Sequence, residues 1–441
     1  MKHVILSLAI VFTAVYANAQ MEQRQPVNYE AATWHTWLLD KSEQITIPAA
    51  PGPDQTKAEL KSLKLGLRKL DDKKMQQIKY WDAGAPCYRW NQIVPKLLAQ
   101  KFEVQLRMPD AWMNIAIYDA TILAWKEKLK YKRKRPSVLD TSIKTAINAP
   151  LTYSYPCEHS VTASAAANVL AYFFPAKADS ILQIAHDASQ SRIDAGVQFP
   201  SDVEAGWKLG EQVAKQIIEK AKNDGSAKAW DGKMNKDPKK WTGPYPLGIT
   251  LASFTPIVIH SANQFRPAPP PDFAKDMKEM KNFKQTFKSA SQAYYWASKG
   301  DVWMDLVGQK IFEYRMQDDA PAVARIYTVL TTAYHDAVIA IMDAKYAYWG
   351  IRPSQYDTTY KPLIPTPPFP GYPSGHAAGA ATSCAVLEYF FPADAEQFQQ
   401  LAKECAASRF YAGIHFRTDN EVALQMGADL GKYIVETWMK R

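Results

Sequence analysis

Laid over itself with a shift of 217 residues, the chain aligns 116–206 with 333–423 without a gap, and 35 of the 91 paired positions are identical. Asp119-Ala120 falls on Asp336-Ala337, Lys128 on Lys345, Arg135-Pro136-Ser137 on Arg352-Pro353-Ser354, and Tyr155-Pro156 on Tyr372-Pro373. His159 meets His376, Phe173-Phe174-Pro175 meets Phe390-Phe391-Pro392, and Ser191-Arg192 meets Ser408-Arg409. Agreement this dense over so long a stretch is not chance. The chain must build two related units, which an approximate two-fold is expected to relate in space.

The repeated unit is helical. Ile326, Leu330, Ala333, Ala337 and Ile341 recur at three- and four-residue spacing, which gives a helix one buried stripe. Val422, Met426, Leu430, Ile434 and Trp438 recur at a strict spacing of four. Ala377 to Phe391 is largely apolar and stops at Pro392, as the central helix of a bundle would. No long alternating pattern predicts a sheet, so the expected fold is all-α, two helical bundles from an internal duplication. The first bundle is placed at 106–222 and the second at 286–441, with an N-terminal helical region at 20–105. Between the bundles, 223–285 is rich in Pro and Gly and holds Phe265-Arg266-Pro267-Ala268-Pro269-Pro270-Pro271. It reads as an ordered crossover of a length that is unusual unless it covers a site.

Residues 1–19 carry an address. Lys2 and His3 precede an apolar run from Val4 to Tyr16, and Ala17-Asn18-Ala19 supplies the small residues of a cleavage site. A secretory signal peptide cleaved before Gln20 is expected, giving a secreted or periplasmic protein. No later stretch is apolar for 18 residues, so no transmembrane segment is expected. Cys87, Cys157, Cys384 and Cys405 show no Cys-x-x-Cys spacing that would suggest zinc, and their spacing leaves any disulfide pairing open. The net charge of +9 favours anionic partners. Seven of the ten residues from Lys126 to Arg135 are basic, which reads as a solvated face; with export this argues against nucleic acid. No glycine pattern of a nucleotide-binding loop occurs. His335-Asp336 reads as a packed polar pair, and its recurrence as Asp119 suggests a structural hydrogen bond in both copies.

Three segments of the second copy concentrate reactive groups: Lys345 with Arg352-Pro353, then Pro373-Ser374-Gly375-His376, then Ser408-Arg409 with His415 and Asp419. Lys345, Arg352 and Arg409 are three cations, two of them planar forks suited to an oxyanion. Ser374 and Gly375 stand just ahead of an apolar helix, where free N–H groups favour an anion, and Gly375 permits close approach. One histidine can attack or ligate a central atom while the other moves a proton. Asp419, four residues beyond His415, is placed to accept the far imidazole N–H and fix the tautomer. Such a set suits a tetrahedral oxyanion.

These segments resemble the signature of the type 2 phosphatidic acid phosphatase and vanadium-dependent haloperoxidase superfamily. The resemblance implies that Lys345, Arg352 and Arg409 bind the oxygens of vanadate or phosphate, with hydrogen bonds from Ser374 and Gly375. It makes His415 the residue bonded to vanadium or phosphorus, His376 the general acid/base and Asp419 the partner of His415. In a haloperoxidase the vanadate cofactor serves the oxidation of halide by hydrogen peroxide to hypohalous acid, with a small organic acceptor. In a phosphatase the same His415 attacks phosphorus to give a phosphohistidine. Haloperoxidases of the superfamily are built from two related bundles with the site in the second, as here, and the run Pro367-Pro368-Phe369-Pro370-Gly371-Tyr372 is similar to their version. Phe369 occupies a position that lies beside the metal in such enzymes. Many chloroperoxidases carry Trp three residues before the lysine; here it is Met342, which turns the expectation toward iodide or bromide.

The first copy keeps Lys128, Arg135, His159, Arg192 and Asp202. Ser374, however, is matched by Cys157, Gly375 by Glu158 and His415 by Gln198. A Glu in the cradle repels an anion and Gln is no nucleophile, so this half reads as a structural relic. The other reading makes Cys157 a nucleophile.

Overall fold

Each copy of the repeat folds into four long helices. In the first copy they are α1 (Pro109–Tyr131), α2 (Glu158–Phe173), α3 (Ala178–Asp194) and α4 (Pro200–Lys222); in the second, α5 (Ala320–Tyr348), α6 (Gly375–Phe390), α7 (Ala395–Tyr411) and α8 (Arg417–Met439). The computed structural model describes residues 27–39, 44–99, 108–298 and 302–440, and no strand occurs among them. The signal peptide expected at 1–19 lies outside the described residues.

Helix ends follow local chemistry. Asp319 accepts a hydrogen bond from the Ala322 N–H at the start of α5, with Pro321 in the first turn. α5 ends at Trp349 in the left-handed conformation (φ 53°), its N–H donating to the Lys345 carbonyl, and α1 ends the same way at Lys132 (φ 48°) on the Lys128 carbonyl. The lysine of each copy therefore stands in the last helical turn, where the chain reverses and brings back Arg135 or Arg352. The stripe Ile326, Leu330, Ala333, Ala337 and Ile341 is buried as its spacing predicts, and so are Met426, Leu430, Ile434 and Trp438.

Within each bundle the helix carrying the histidine packs tightly on the last helix, α2 on α4 and α6 on α8. The contact needs glycine. A Cβ at Gly427 would stand 2.1 Å from the Ala378 carbonyl oxygen, and one at the equivalent Gly210 would stand 2.4 Å from that of Val161. The bundles meet where α1 packs on α5, with Thr328 Oγ1 donating to the Asn114 carbonyl at 2.9 Å. Apolar residues of both copies form one continuous core.

The duplication reaches further upstream than sequence identity does. Helix Asp72–Asp82 packs on α3 as Phe287–Ser298 packs on α7, and Tyr80-Trp81 of one matches Tyr295-Trp296 of the other. Asp119 accepts the backbone N–H groups of Trp37, Leu38 and Leu39 at 2.5, 3.0 and 3.2 Å. Asp336 accepts those of Ile257, Val258 and Ile259 at 2.7, 2.7 and 2.9 Å. Each aspartate pins a preceding loop to its bundle, and His335 Nδ1 lies 2.9 Å from Asp336 Oδ1 as a packed neighbour. The segment before the second bundle also lies over the bundle end: the Leu247, Pro267 and Ala268 carbonyls accept from the hydroxyls of Tyr346, Tyr348 and Tyr372.

The basic run departs from a uniformly solvated face. Lys126, Lys130, Lys132 and Lys134 are exposed, but Lys128, Arg133 and Arg135 are buried. Lys128 faces Glu158 from the last turn of α1, and the helix stop at Lys132 turns Arg133 and Arg135 inward onto Glu59, Asp202 and Glu158. All four cysteines are buried free thiols. No helix among the described residues is long and apolar enough to cross a membrane.

Candidate oxyanion site

Three elements of the second bundle deliver the predicted residues to one place. Lys345, from the last turn of α5, is 1% exposed, and its Nζ donates to the Pro370 and Gly371 carbonyls at 2.7 and 2.9 Å. Arg352 is fully buried. Its Nε donates to the Phe369 carbonyl (3.1 Å) and its Nη1 to the Ile414 carbonyl (2.7 Å), while its Nη2 has no partner. The Phe369 ring lies beside both cations, 5.1 Å from Lys345 Nζ and 5.2 Å from Arg352 Cζ. Arg409, near the end of α7, is held by Ser408 Oγ and the Ala293 carbonyl, each at 2.9 Å.

The N-terminal end of α6 has no side-chain cap. Ser374 stands at its N-cap but does not cap it, and its buried hydroxyl has no hydrogen-bond partner. A Cβ at Gly375 would meet nothing nearer than Ile341 Cγ2 at 3.8 Å and Lys345 Cε at 3.9 Å. Protein crowding therefore does not explain this glycine. What its missing side chain leaves is space beside Lys345.

His415 is fixed in one tautomer. Its Nε2 lies 2.9 Å from Arg352 Nη1, and its Nδ1 lies 3.1 Å from Asp419 Oδ2. Guanidinium only donates, so Nε2 carries a lone pair and Nδ1 carries the proton it gives to Asp419. Burial, then Arg352 and Lys345, hold the imidazole well below its usual range, so it is neutral. Asp419 also accepts the Phe416 N–H at 3.1 Å and so locks the start of α8 to the histidine. Burial pushes its carboxyl up, with Arg352, Lys345 and that N–H pulling back. His376, in the first turn of α6, keeps an exposed edge. Loss of surrounding water, then Arg409, Lys345 and Arg352, push it down to about 3. Burial and then Arg352 also hold Lys345 well below its usual range. Burial and neighbouring positive charge thus lower both histidines and Lys345, electrostatics that suit an anion.

The first copy shows where that charge goes. Lys128 Nζ donates to the Tyr153 carbonyl, and Arg135 donates to the Thr152 and Val197 carbonyls, all at positions equivalent to those that hold Lys345 and Arg352. Glu158, at the position of Gly375, places its carboxylate 2.8 Å from Lys128 Nζ, 2.8 Å from Arg135 Nη2 and 3.2 Å from Gln198 Nε2. The equivalent atoms of the second copy are Lys345 Nζ, the unpartnered Arg352 Nη2 and the ring of His415. Burial alone would push the Glu158 carboxyl up, but Lys128 and Arg135 outweigh it and hold it well below the usual carboxylate range. Glu158 thus does more than repel: it is the resident anion. Cys157 is no nucleophile as it stands, since burial pushes its thiol up to about 12.

Profile comparison matches the PAP2 superfamily at residues 112–222 and again at 324–441, more than half of the sequence. The chain belongs to the PAP2 superfamily. Within it, the fold is similar to the crystal structure of a bacterial vanadium-dependent iodoperoxidase. That likeness has a TM-score of 0.59 and 23% identity, and covers 88% of this chain and 98% of the other. The holo and apo forms of a bacterial vanadium-dependent chloroperoxidase follow with TM-scores of 0.56 and 0.55, identities of 15% and 16%, and coverage of 77% of this chain and 92% and 93% of theirs. A search of curated protein sequences finds no match.

All eight residues picked from the sequence, Lys345, Arg352, Ser374, Gly375, His376, Arg409, His415 and Asp419, line or adjoin this region of the superfamily fold. The sequence reading missed the residue that leaves Arg409 available. Arg192, its counterpart, donates Nη2 to the Ile78 carbonyl just as Arg409 does to that of Ala293, but its Nη1 is tied to Asp82 at 2.9 Å. Two residues past each of those carbonyls comes the Tyr-Trp step, and after it Asp82 is replaced by Ala297. The recurring Tyr-Trp pair was the available signal; it sits at a shift of 215 and falls outside the gapless alignment.

Proposed function

We propose that this protein is a vanadate-dependent haloperoxidase oxidising iodide or bromide, in preference to chloride, with hydrogen peroxide to hypohalous acid. The observation that carries the reading is the set Lys345 Nζ, Arg352 Nη2 and His415 Nε2, whose counterparts in the first bundle all face one carboxylate. The likeness to vanadium-dependent iodo- and chloroperoxidases along most of the chain supports the peroxidase over a single-bundle phosphatase.

The residues present fit vanadate. Arg352 Nη2 and the Ser374 hydroxyl are buried and lack acceptors, Gly375 leaves room, and the nearby carboxylate of Asp419 is turned to His415. Lys345, Arg352 and Arg409 would hold its oxygens, Ser374 and the Gly375 N–H would add hydrogen bonds, and His415 Nε2 would face its centre. When bound, vanadate supplies a Lewis-acid centre that activates hydrogen peroxide for halide without itself changing oxidation state. The chain does the rest. Asp419 keeps the proton of His415 on Nδ1, so that its Nε2 lone pair, which accepts from Arg352 Nη1 in this structure, is the one that would turn to the ion. His376 holds or releases a proton at its accessible nitrogen, and Phe369 covers the two cations against water. Met342 packs among Met108, Leu251, Phe254 and Ile339 and presents no indole, which supports the softer halides. We also propose that residues 1–19 are a leader removed on export, to be checked by sequencing exported protein for a start at Gln20.

The test is a paired assay on one apoprotein preparation. Halide oxidation is expected only after orthovanadate is added, and loss of it in His415→Ala and in Arg409→Ala. Absence of turnover with every halide at saturating vanadate and peroxide overturns the reading. The neutral, lone-pair-bearing Nε2 of His415 equally suits a phosphatase nucleophile, and hydrolysis of p-nitrophenyl phosphate in vanadate-free buffer would establish that reaction instead.

A further inference from the structure

We propose that the first bundle is a second oxyanion site, for a phosphate-class tetrahedral anion, held shut by the tethered carboxylate of Glu158. The rest of the cradle is in place. Lys128 and Arg135 are buried and held by backbone carbonyls equivalent to those that hold Lys345 and Arg352. Thr152 Oγ1 donates to Glu158 Oε1 at 3.3 Å and Gln198 Nε2 donates to Oε2 at 3.2 Å. The same carboxylate stands at the first residue of α2, where helix N–H groups favour an anion. A recess lined by Glu158, His159, Thr152 and Asp82 opens over it, with a volume of about 590 Å³, so an exogenous ion has a way in.

Charge explains why one cradle is closed and the other open. Around the first, Lys128, Arg133, Arg135 and Arg192 meet Glu158, Asp202, Glu59 and Asp82, four cations against four acids. Three of those positions are emptied in the second bundle: Glu158 becomes Gly375, Asp82 becomes Ala297 and Arg133 becomes Gly350. Lys345, Arg352 and Arg409 then face Asp419, with Asp276 holding Thr418 beside it as Glu59 holds Ser201, three cations against two acids. A tethered anion needs no concentration to bind, because its glutamate is already covalently in place, whereas the second cradle depends on a diffusing ion. Glu158 therefore provides permanently in one half what an oxyanion would provide in the other.

The experiment removes the tether in a full-length chain whose second site has been closed by Gly375→Glu. Calorimetric titration with inorganic phosphate is expected to show no binding in Gly375→Glu and one phosphate per chain in Glu158→Gly/Gly375→Glu. Further addition of Asp82→Ala, which frees Arg192, is expected to tighten that binding. Because the second site is shut, the result does not depend on what that site does. A double variant with native circular dichroism that binds no phosphate overturns the proposal. If Glu158→Gly lowers stability too far for titration, its melting temperature is read with phosphate and with chloride at equal ionic strength. An upward shift with phosphate alone supports the proposal, and equal melting in both overturns it.

Discussion

At the scale of single residues, the change that closes one cradle and leaves the other open is Glu158 in the place of Gly375. Gly375 has ordinary φ and free space, so nothing in the backbone prevents a longer residue there. Gly375→Glu should fold at least as well as the parent, since the new carboxylate meets Lys345 and Arg352 as Glu158 meets Lys128 and Arg135. The same substitution should lower halide oxidation at least about 100-fold, the scale of loss when a single oxyanion donor is removed. Assays at saturating vanadate beside thermal melts separate this outcome from unfolding; full activity would mean that the anion lies elsewhere. Proton linkage gives a second check. His376 is pushed to about 3 by burial and by Arg409, Lys345 and Arg352 in the anion-free site, and a bound dianion raises it. Binding therefore takes up a proton at pH values between about 3 and the raised value, and affinity should rise as pH falls through that window. Sulfate does not itself titrate in this range and is the suitable probe. Calorimetry in two buffers of different ionisation enthalpy counts the proton, and a sulfate affinity that does not change with pH would mean that His376 lies outside the field of the bound anion.

At the scale of elements, the site is made by helix ends. The left-handed stop at Trp349 returns Arg352 beside Lys345, the unused N-cap at Ser374 leaves α6 open, and Asp419 ties the start of α8 to His415. The helix Phe287–Ser298 contributes by what it lacks. Ala297→Asp should recreate the Asp82–Arg192 pair on Arg409 and weaken oxyanion binding about tenfold, the effect of diverting one charge-assisted hydrogen bond. Orthovanadate titration of activity checks this, and an unchanged midpoint would show that Arg409 needs no free Nη1. Much of this was legible in the sequence, because helical spacing, the 217-residue shift and the three segments are local patterns. The role of Ala297 was not legible, since an absent carboxylate leaves no motif and the shift changes by two residues upstream. Nor was the role of Glu158. Residue type alone suggests repulsion, and only the positions of Lys128 and Arg135 show that its carboxylate satisfies them. The basic run misled for a related reason, because the face of α1 that carries Lys128 and the helix stop at Lys132 together decide which of its charges face inward.

At the scale of the whole molecule, two bundles read from sequence as separate units share one apolar interior. α1 lies on α5, Trp37 from the N-terminal segment stacks on Trp438 of α8 at 3.8 Å, and the buried set runs through both copies without a break. Exposing either bundle alone would uncover a face as apolar as a domain core, so the halves should not unfold separately. Differential scanning calorimetry is therefore expected to show one endotherm even though the proposed vanadate site lies in the second bundle alone. Ligand binding to the native state stabilises by about 2.7 kcal/mol at a hundredfold excess over Kd. With a shared core, orthovanadate should move the entire transition upward. Two endotherms, one of them unmoved by orthovanadate, would mean that the interface between α1 and α5 does not couple the bundles. The carboxylate of Glu158 would then stabilise its own half without helping to hold the other in place.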